Sequence, residues 1–471
     1  MLIICCINSG KVCNDTALIS NFQADDTRLF VGLPLDVVSE DNEVVNEKAI
    51  ISGLKALRLL GVEGVELPIW WGIVEKEAVG KYNWSSYLSI VELVQKMGLQ
   101  VQVSLCFHAS QQPKIPLPDW VSLIGESDPN IFFADRIGQR YKDCLSLSVD
   151  DLPVLEGKSP MEVYKGFFES FKSSFASFMG STITDVVIGL GPDGELRYPS
   201  CHLAANPEDP IGVGEFQCYD KYMLEQLKQY GESNGNPLWG LGGPHDVPTY
   251  DQPPSVDTFF KDQGGSWETP YGVFFLSWYS SQLISHGDRI LSLAASVLRD
   301  SSVNIAGKLP LVHTWFKTRS HPSELTAGFY NTATSDGYDE VVKMFAKNAC
   351  RIVLPGMDLL DDYQRDRASP QRLIAQIKET CGKHRVHVSG QNTLVSETSD
   401  GFEEMRKNLS KENEVVDSFT YQRMGTNFFA PEHFRFFIAF VQKINQLDAN
   451  AYDKAEDMGR VEAMHLGMKM G

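Results

Sequence analysis

The most constraining feature of this chain is a repeated alternation of short β-rich runs with longer amphipathic segments. Eight such runs occur, most of them rich in valine, isoleucine and leucine without a clean polar alternation. This composition is typical of buried parallel strands. We predict strands at residues 29–34, 64–69, 99–107, 184–190, 305–311, 350–354, 385–389 and 417–421.

Helical patterns lie between several of these runs. Residues 47–60, EKAIISGLKALRLL, repeat apolar side chains at the ~3.6-residue spacing of a helix. The same spacing predicts helices at 87–97, 160–179, 274–298, 338–347 and 370–380. A strand and a helix repeated around the chain predict an α/β fold, a (β/α)8 TIM barrel. In such a barrel the chemistry lies at the C-terminal ends of the strands.

One connection is much longer than the others. Residues 195–254, between the fourth and fifth strands, are rich in glycine, proline, tyrosine and asparagine. We expect this long insertion to lie on the C-terminal face and to form a cleft. No linker, repeat or low-complexity tract divides the chain. The predicted organisation is a disordered segment at 1–27, one barrel domain at 28–450 and a loosely ordered tail at 451–471.

Charge and composition argue against several classes of partner and cofactor. The net charge is −19 and no run of lysine or arginine occurs, so we expect neither nucleic acid nor a membrane as a partner. A neutral ligand such as a sugar is compatible with this charge. We find no P-loop, no GxGxxG turn after a strand, no HExxH motif and no Cys/His cluster. No metal and no cofactor are therefore predicted.

The nine cysteines are scattered, without a CxxC pair or a spacing typical of metal ligands. We interpret them as mostly buried free thiols of a protein in a reducing compartment. The first residues, MLIICCINSGKVCND, match neither a secretory signal nor a transit peptide.

Polar and aromatic residues gather at the predicted strand ends. The fourth strand runs through GLGPDG to Glu195, with Arg197 and Tyr198 directly after it, which places a carboxylate at the barrel mouth. Taken singly, the residues at the other strand ends fit structural roles. Taken together, they predict a cleft with aromatic walls and polar anchors, suited to a carbohydrate. They are Trp70, Trp71, Phe107, His108, Lys308, His313, Trp315 and Arg423.

Longer motifs resemble those of the β-amylases, glycoside hydrolase family fourteen. The most specific are GELRYPS at 194–200 and GEFQCYDKY at 214–222, and others include IWWGIVE at 69–75, GPHDVPTYDQ at 243–252 and FTYQRM at 419–424. The resemblance extends from about residue 29 to about residue 447. It implies a (β/α)8 barrel that releases maltose from the non-reducing ends of α-1,4-glucans with inversion.

The resemblance also implies roles for individual residues. Inversion needs an acid and a base about 6.5–9.5 Å apart, and the resemblance assigns the acid to Glu195. It places the base in a Gly-Glu-Asn triplet after strand seven, which here reads Gly390, Gln391 and Asn392. An amide cannot take a proton from water at neutral pH, so the base is implied to be missing. The implied substrate-binding residues are His108, Lys308, His313, Asn392 and Arg423.

Further departures from the family pattern fall in the same site. Pro68 stands where the family has an aspartate that binds a sugar hydroxyl. The family's glycine-rich lid, with a Gly-Asn-Val-Gly-Asp core, is replaced by the short ASQQPK after His108. Pro355 and Gly356 stand where the inner loop has threonine and cysteine, and Thr314 replaces the first tryptophan of a pair.

We therefore predict a β-amylase-like protein of starch metabolism that is catalytically inactive or strongly impaired and acts as a regulator, a glucan sensor or a partner of other starch proteins. The resemblance to non-catalytic plastid members implies a plastid location. Two alternatives stay open. A weak hydrolase would need another carboxylate, such as Glu397 or Asp400, near the attacking water. A glucan-binding module would bind maltooligosaccharides without a protein partner.

Overall fold

The strands close into a single barrel. The computed structural model describes residues 27–201, 212–364, 366–393, 399–409 and 416–445. Within these residues eight parallel strands pair in sequence order, and the first pairs with the last. The predicted (β/α)8 barrel is confirmed. The strands are β1 (Arg28–Gly32), β2 (Gly64–Trp70), β3 (Gln100–Cys106), β4 (Ile183–Ile188), β5 (Asn304–Lys308), β6 (Arg351–Leu354), β7 (Val388–Gln391) and β8 (Val416–Tyr421).

In the described part of the chain, a long helix follows each strand. These helices are α1 (Glu47–Leu59), α2 (Ser85–Lys96), α3 (Pro160–Ser174), α4 (Pro270–Leu298), α5 (Asp339–Lys347), α6 (Pro370–His384), α7 (Ser399–Asn408) and α8 (Pro431–Asn445). The six predicted helices are confirmed, with ends that differ by a few residues. Helices α7 and α8 are not among the predicted ones. In α7 the charged sequence SDGFEEMRKN leaves a narrow apolar face, on which Phe402 and Met405 are buried.

Both boundaries of β7 differ from the prediction for identifiable reasons. Arg385 has a φ of 57° and ends α6, so β7 begins at Val388 and not at residue 385. The same strand runs on to Gln391, because Gly390 and Gln391 pair with Phe419 and Thr420 of β8. The predicted end of this strand at residue 389 is therefore two residues too early, and Gly390 and Gln391 belong to the barrel wall.

The loops after the strands carry the remaining elements of the described chain. They include the helices Trp71–Val74, Asp119–Ser127, Lys221–Ser233 and Pro322–Ala327. They also include two antiparallel hairpins, Ser110–Gln111 with Lys114–Ile115 and Phe132–Ala134 with Arg140–Leu145. The first hairpin turns at Gln112 and Pro113, so the segment between His108 and the helix Asp119–Ser127 is short. The helix Lys221–Ser233 lies in the long insertion, of which residues 202–211 are outside the described chain.

The described cysteines are unpaired, and five of the six are buried; they are Cys106, Cys144, Cys201, Cys218, Cys350 and Cys381. The remaining three cysteines lie outside the described residues. So do the predicted disordered segment 1–27, apart from Thr27, and the predicted loosely ordered tail 451–471. Among the described helices, none is both long enough and apolar enough to cross a membrane.

Candidate active site

A cavity of about 1630 Å³ opens at the C-terminal ends of the strands. Residues from several strands and from the loops that follow them line it, including part of the long insertion. The structure brings all seven sequence-predicted site residues into this lining: His108, Glu195, Lys308, His313, Gln391, Asn392 and Arg423.

Glu195 is fixed between two cations. Its backbone pairs with Lys308 at the end of β5, and Oε1 lies 3.2 Å from the Lys308 Nζ. On the other side Oε2 accepts a hydrogen bond of 2.9 Å from the Arg197 Nε. Burial would lower the pKa of Arg197, but the carboxylates of Glu195 and Asp193 outweigh it and raise that pKa. Arg197 is therefore a permanent cation beside the carboxylate.

Gln391 lies at the end of β7 with 5% of its surface exposed. Its carbonyl accepts a hydrogen bond of 2.9 Å from the Met357 amide. Its side-chain amide lines the cavity and makes no hydrogen bond to any residue that the structure describes. The amide therefore offers one donor group and one acceptor to a ligand or to water.

The side chain of Asn392, the next residue, binds the backbone of the segment after β8. Its Nδ2 donates a hydrogen bond of 2.8 Å to the Gln422 carbonyl, and its Oδ1 accepts one of 2.6 Å from the Gln422 amide. These two bonds tie the end of β7 to the segment after β8. Asn392 is 2% exposed, so the predicted contact with a sugar competes with its two hydrogen bonds to the Gln422 backbone.

His108 is a neutral histidine in the cavity wall. Its ring packs edge-on against Trp70, with 5.2 Å between ring centroids, and 7% of its surface is exposed. Burial lowers its pKa to about 4, and the charges of Lys308 and Arg197 act in the same direction while Asp193 opposes them. Its buried Nδ1 has no hydrogen-bond partner among the described residues.

The other two predicted ligands are already engaged by protein atoms. His313 Nδ1 lies 3.0 Å from the Leu311 carbonyl, and Nε2 lies 3.2 Å from the Gln364 Oε1. Arg423 donates to the Leu33 carbonyl through Nη1. Its Nη2 lies 3.5 Å from the Glu66 Oε2.

The prediction of aromatic walls is wrong for most of the residues named. Trp70 lines the cavity, but Trp71 is fully buried in the layer behind it, where its indole N–H donates to the Glu75 Oε2. Phe107 packs in the same layer, against Tyr164 and Trp71. A side chain at a strand end turns either to the mouth or to the helices, and sequence order does not decide which. The aromatic residues among the described lining are Trp70, Tyr141 and Tyr250.

Glu66 is a cavity residue that the sequence analysis missed. It lies in the middle of β2, lines the cavity, and is 5% exposed. Its Oε1 accepts a hydrogen bond of 2.7 Å from the Ser104 hydroxyl, and its Oε2 accepts one of 3.0 Å from the Gln422 Nε2. A glutamate inside the otherwise apolar run GVELPIW is the signal that could have identified it.

A family model described as Glycosyl hydrolase family 14 matches residues 30–449, from within β1 to beyond α8. The chain belongs to glycosyl hydrolase family 14. A relative from Arabidopsis thaliana named Inactive beta-amylase 9 is 58% identical over 441 residues, which cover 93% of this chain and 81% of the relative. Another from the same organism, Beta-amylase 1, chloroplastic, is 39% identical over 433 residues, 89% of this chain and 75% of the relative.

The structural comparison agrees with the family assignment at the level of the fold. The solved catalytic domain of a beta-amylase from Paenibacillus polymyxa superposes with a TM-score of 0.73. It covers 90% of this chain and 99% of its own, with 23% sequence identity.

This family 14 chain has few carboxylates that could act on a cavity ligand. Among the described lining residues they are Glu66, Asp143, Asp193 and Glu195. Asp400, suggested above as an alternative base, is exposed, accepts a hydrogen bond of 2.6 Å from the Tyr363 hydroxyl, and lies outside that lining. Glu397 lies outside the described residues. In the same part of the chain, no group of His, Cys, Asp and Glu is arranged to hold a metal ion.

Proposed function

We propose that this chain is a β-amylase-like protein of α-1,4-glucan metabolism that does not hydrolyse glucan and acts as a regulator or glucan sensor. The observation that carries the proposal is the buried amide of Gln391 at the end of β7, facing the same cavity as Glu195. Membership of glycosyl hydrolase family 14 supports the choice of α-glucan as the ligand class.

The chemistry depends on the pair Glu195 and Gln391, which we assign to the positions of the acid and the base. An inverting hydrolase must remove a proton from water as the water attacks the sugar. The amide of Gln391 can orient a water molecule but cannot accept its proton. Loss of a general base lowers the rate by on the order of 10²–10⁴. Pro68, which also lines the cavity, offers a sugar hydroxyl no side-chain hydrogen bond.

The relatives are consistent with this proposal. The relative that is 58% identical carries the name Inactive beta-amylase 9. The short hairpin after His108 leaves little chain to cover a bound glucan and exclude water, which would further weaken hydrolysis.

Maltose release from soluble starch tests the proposal, with wild type, Gln391→Glu and Glu195→Gln purified in parallel. We expect wild type to release no more maltose than Glu195→Gln. Gln391→Glu should release maltose faster than wild type, because the substitution restores a base. Wild-type activity that Glu195→Gln abolishes would contradict the proposal. If Gln391→Glu were then no faster than wild type, another group would serve as base, and the chain would be a weak hydrolase.

We also infer a plastid location and partners among other proteins of starch metabolism. The support is the relative named Beta-amylase 1, chloroplastic, although the name of the relative at 58% identity carries no such word. A fluorescent fusion of the full-length protein in leaf cells tests the location, and signal confined to the cytosol would contradict it.

A further inference from the structure

We propose that Glu66 sets the ligand specificity of the cavity. Because Glu66 forms an ion pair with Arg423, it restricts the cavity to uncharged saccharides and excludes ligands that carry phosphate or carboxylate groups. The inference rests on the proposed function only in its choice of a saccharide as the neutral ligand. The argument about charge depends on Glu66 and its neighbours alone.

Glu66 is held in place from three sides. Ser104 on β3 and Gln422 after β8 each donate a hydrogen bond to its carboxylate. Gly32, which pairs with Glu66 from the neighbouring strand β1, has no side chain and so leaves space for the carboxylate. A Cβ at this position would lie 2.9 Å from the Glu66 Oε2. The side chain of Glu66 is 6% exposed. A buried carboxylate with this many donors has a defined position on the cavity floor.

Arg423 is the cation that Glu66 neutralises. Its guanidinium is a quarter exposed, and it lies between the Leu33 carbonyl and the Glu66 carboxylate. An arginine whose planar guanidinium group is free to face a ligand binds phosphate and carboxylate groups tightly. The ion pair with Glu66 removes that capacity.

Three partly buried charges of the cavity and the exposed Asp193 are paired in the same way. Glu195 and Asp193 contact Arg197, and Glu195 also contacts Lys308. Together with the pair of Glu66 and Arg423, the described ion pairs of the cavity thus balance three carboxylates against three cations. An anionic ligand at Arg423, Arg197 or Lys308 would therefore lose its hydration without gaining an unpaired cation, which is unfavourable in a partly buried site. Two further cations of the lining, Arg140 and Lys142, have no ion pair in the described chain, and both lie on the hairpin strand Arg140–Leu145.

The buried side chains of Gln391 and His108 supply polar groups of the cavity wall that are both unpartnered and uncharged. The Gln391 amide has no hydrogen-bond partner within the described residues, and it is more than nine-tenths buried. His108 is also more than nine-tenths buried, its Nδ1 lacks a partner in the same part of the chain, and its lowered pKa of about 4 keeps it neutral at physiological pH. Neutral donors and acceptors of this kind match sugar hydroxyl groups.

Binding of inorganic phosphate tests the effect of charge separately from the recognition of a sugar. Binding is measured by calorimetry and by the shift in melting temperature for wild type, Glu66→Gln and Asp143→Asn. Glu66→Gln keeps the shape of the side chain and releases Arg423. Asp143→Asn removes the same charge from the cavity rim, where Asp143 contacts Gln111. We expect phosphate to bind Glu66→Gln at least about tenfold more tightly than wild type, and Asp143→Asn to behave like wild type.

A double variant and a neutral ligand complete the test. The gain in phosphate binding should disappear in Glu66→Gln combined with Arg423→Gln. Where maltoheptaose binds wild type, its affinity should change less than about threefold in Glu66→Gln. If Glu66→Gln does not fold, Glu66→Met removes the same charge with an apolar side chain of similar length.

Two outcomes would overturn the proposal: tight phosphate binding by wild type, or a gain in Asp143→Asn equal to that in Glu66→Gln. A complete absence of phosphate binding in both Glu66 variants would overturn it as well. If maltoheptaose does not bind wild type, the glucan-sensing function fails, while the phosphate experiment still decides the role of Glu66.

Discussion

His286 on α4 connects the outer layer of the barrel to the segment that carries Glu195. Its Nδ1 lies 2.8 Å from the Asp150 Oδ2, and its Nε2 lies 2.9 Å from the Leu190 carbonyl. His286 therefore links the Asp150 carboxylate to the Leu190 carbonyl. Arg289 also donates to Asp150. The result is a buried charged cluster that anchors the chain where β4 leads to Glu195.

Replacing His286 should therefore destabilise the protein. His286→Ala leaves the Leu190 carbonyl without its side-chain donor and removes one of the three hydrogen bonds at the Asp150 Oδ2, which we expect to cost about 3 kcal/mol and to lower the melting temperature by several degrees. His387→Ala is the control, since the side chain of His387 is 59% exposed, and we expect little change. Equal melting temperatures for the two variants would show that His286 does not anchor this segment.

Helix α3 illustrates how local sequence sets an element boundary. The Ser159 hydroxyl accepts a hydrogen bond from the Glu162 amide, and the Glu162 carboxylate accepts one from the Ser159 amide. Pro160 occupies the first helical position. This reciprocal capping explains why the predicted start of the helix at residue 160 is correct. Its predicted end at 179 is wrong, because the amphipathic pattern continues beyond the last helical turn at Ser174.

Ser159→Ala tests this boundary. The substitution removes the acceptor for the Glu162 amide and should cost about 1 kcal/mol of unfolding free energy. Ser89→Ala on the exposed face of α2 removes a hydroxyl that bonds the Ser85 carbonyl of its own helix, and should change the stability by less than about 0.5 kcal/mol. Thermal denaturation of both variants checks the difference, and a larger loss for Ser89→Ala would contradict the capping argument.

At the scale of the whole molecule, the two ends of the barrel are built differently. The C-terminal end carries the cavity, whereas an ion-pair network joins four strands near the N-terminal end. Arg28 of β1 binds Asp185 of β4 at 2.7 Å, and Arg351 of β6 lies 3.7 Å from Asp185 and 3.0 Å from Asp417 of β8. Because these strands are distant in sequence, the network stabilises the closed barrel as a unit.

This network should make the stability of the barrel depend on acid pH. Burial alone would raise the pKa of Asp185, but the hydrogen bond and charge of Arg28 outweigh it and lower that pKa. The stabilisation is therefore complete above the unfolded-state pKa of about 3.9 and is lost as the pH falls through the lower folded-state pKa. We expect Asp185→Asn to cost about 3–5 kcal/mol at pH 7, and the difference from wild type to shrink below about pH 4.

Melting temperatures measured from pH 7 to pH 2 check this prediction. Glu92→Gln is the control, because Glu92 forms an exposed pair with Lys96 on α2 and should differ little from wild type at any pH. A constant difference between wild type and Asp185→Asn over the whole range would contradict the role of the Asp185 charge.

The fold class, the family resemblance and the amide at the proposed base position could all be predicted from the sequence alone. These depend on local composition and on residue identity, which the chain order carries directly. The tertiary structure decided which strand-end side chains face the cavity: Trp70 faces it, while Trp71 faces the helix layer. It also revealed Glu66, because pairing a carboxylate on β2 with Arg423 after β8 requires barrel closure. Contacts between residues so far apart in sequence exist only once the chain has folded, so no local pattern encodes them.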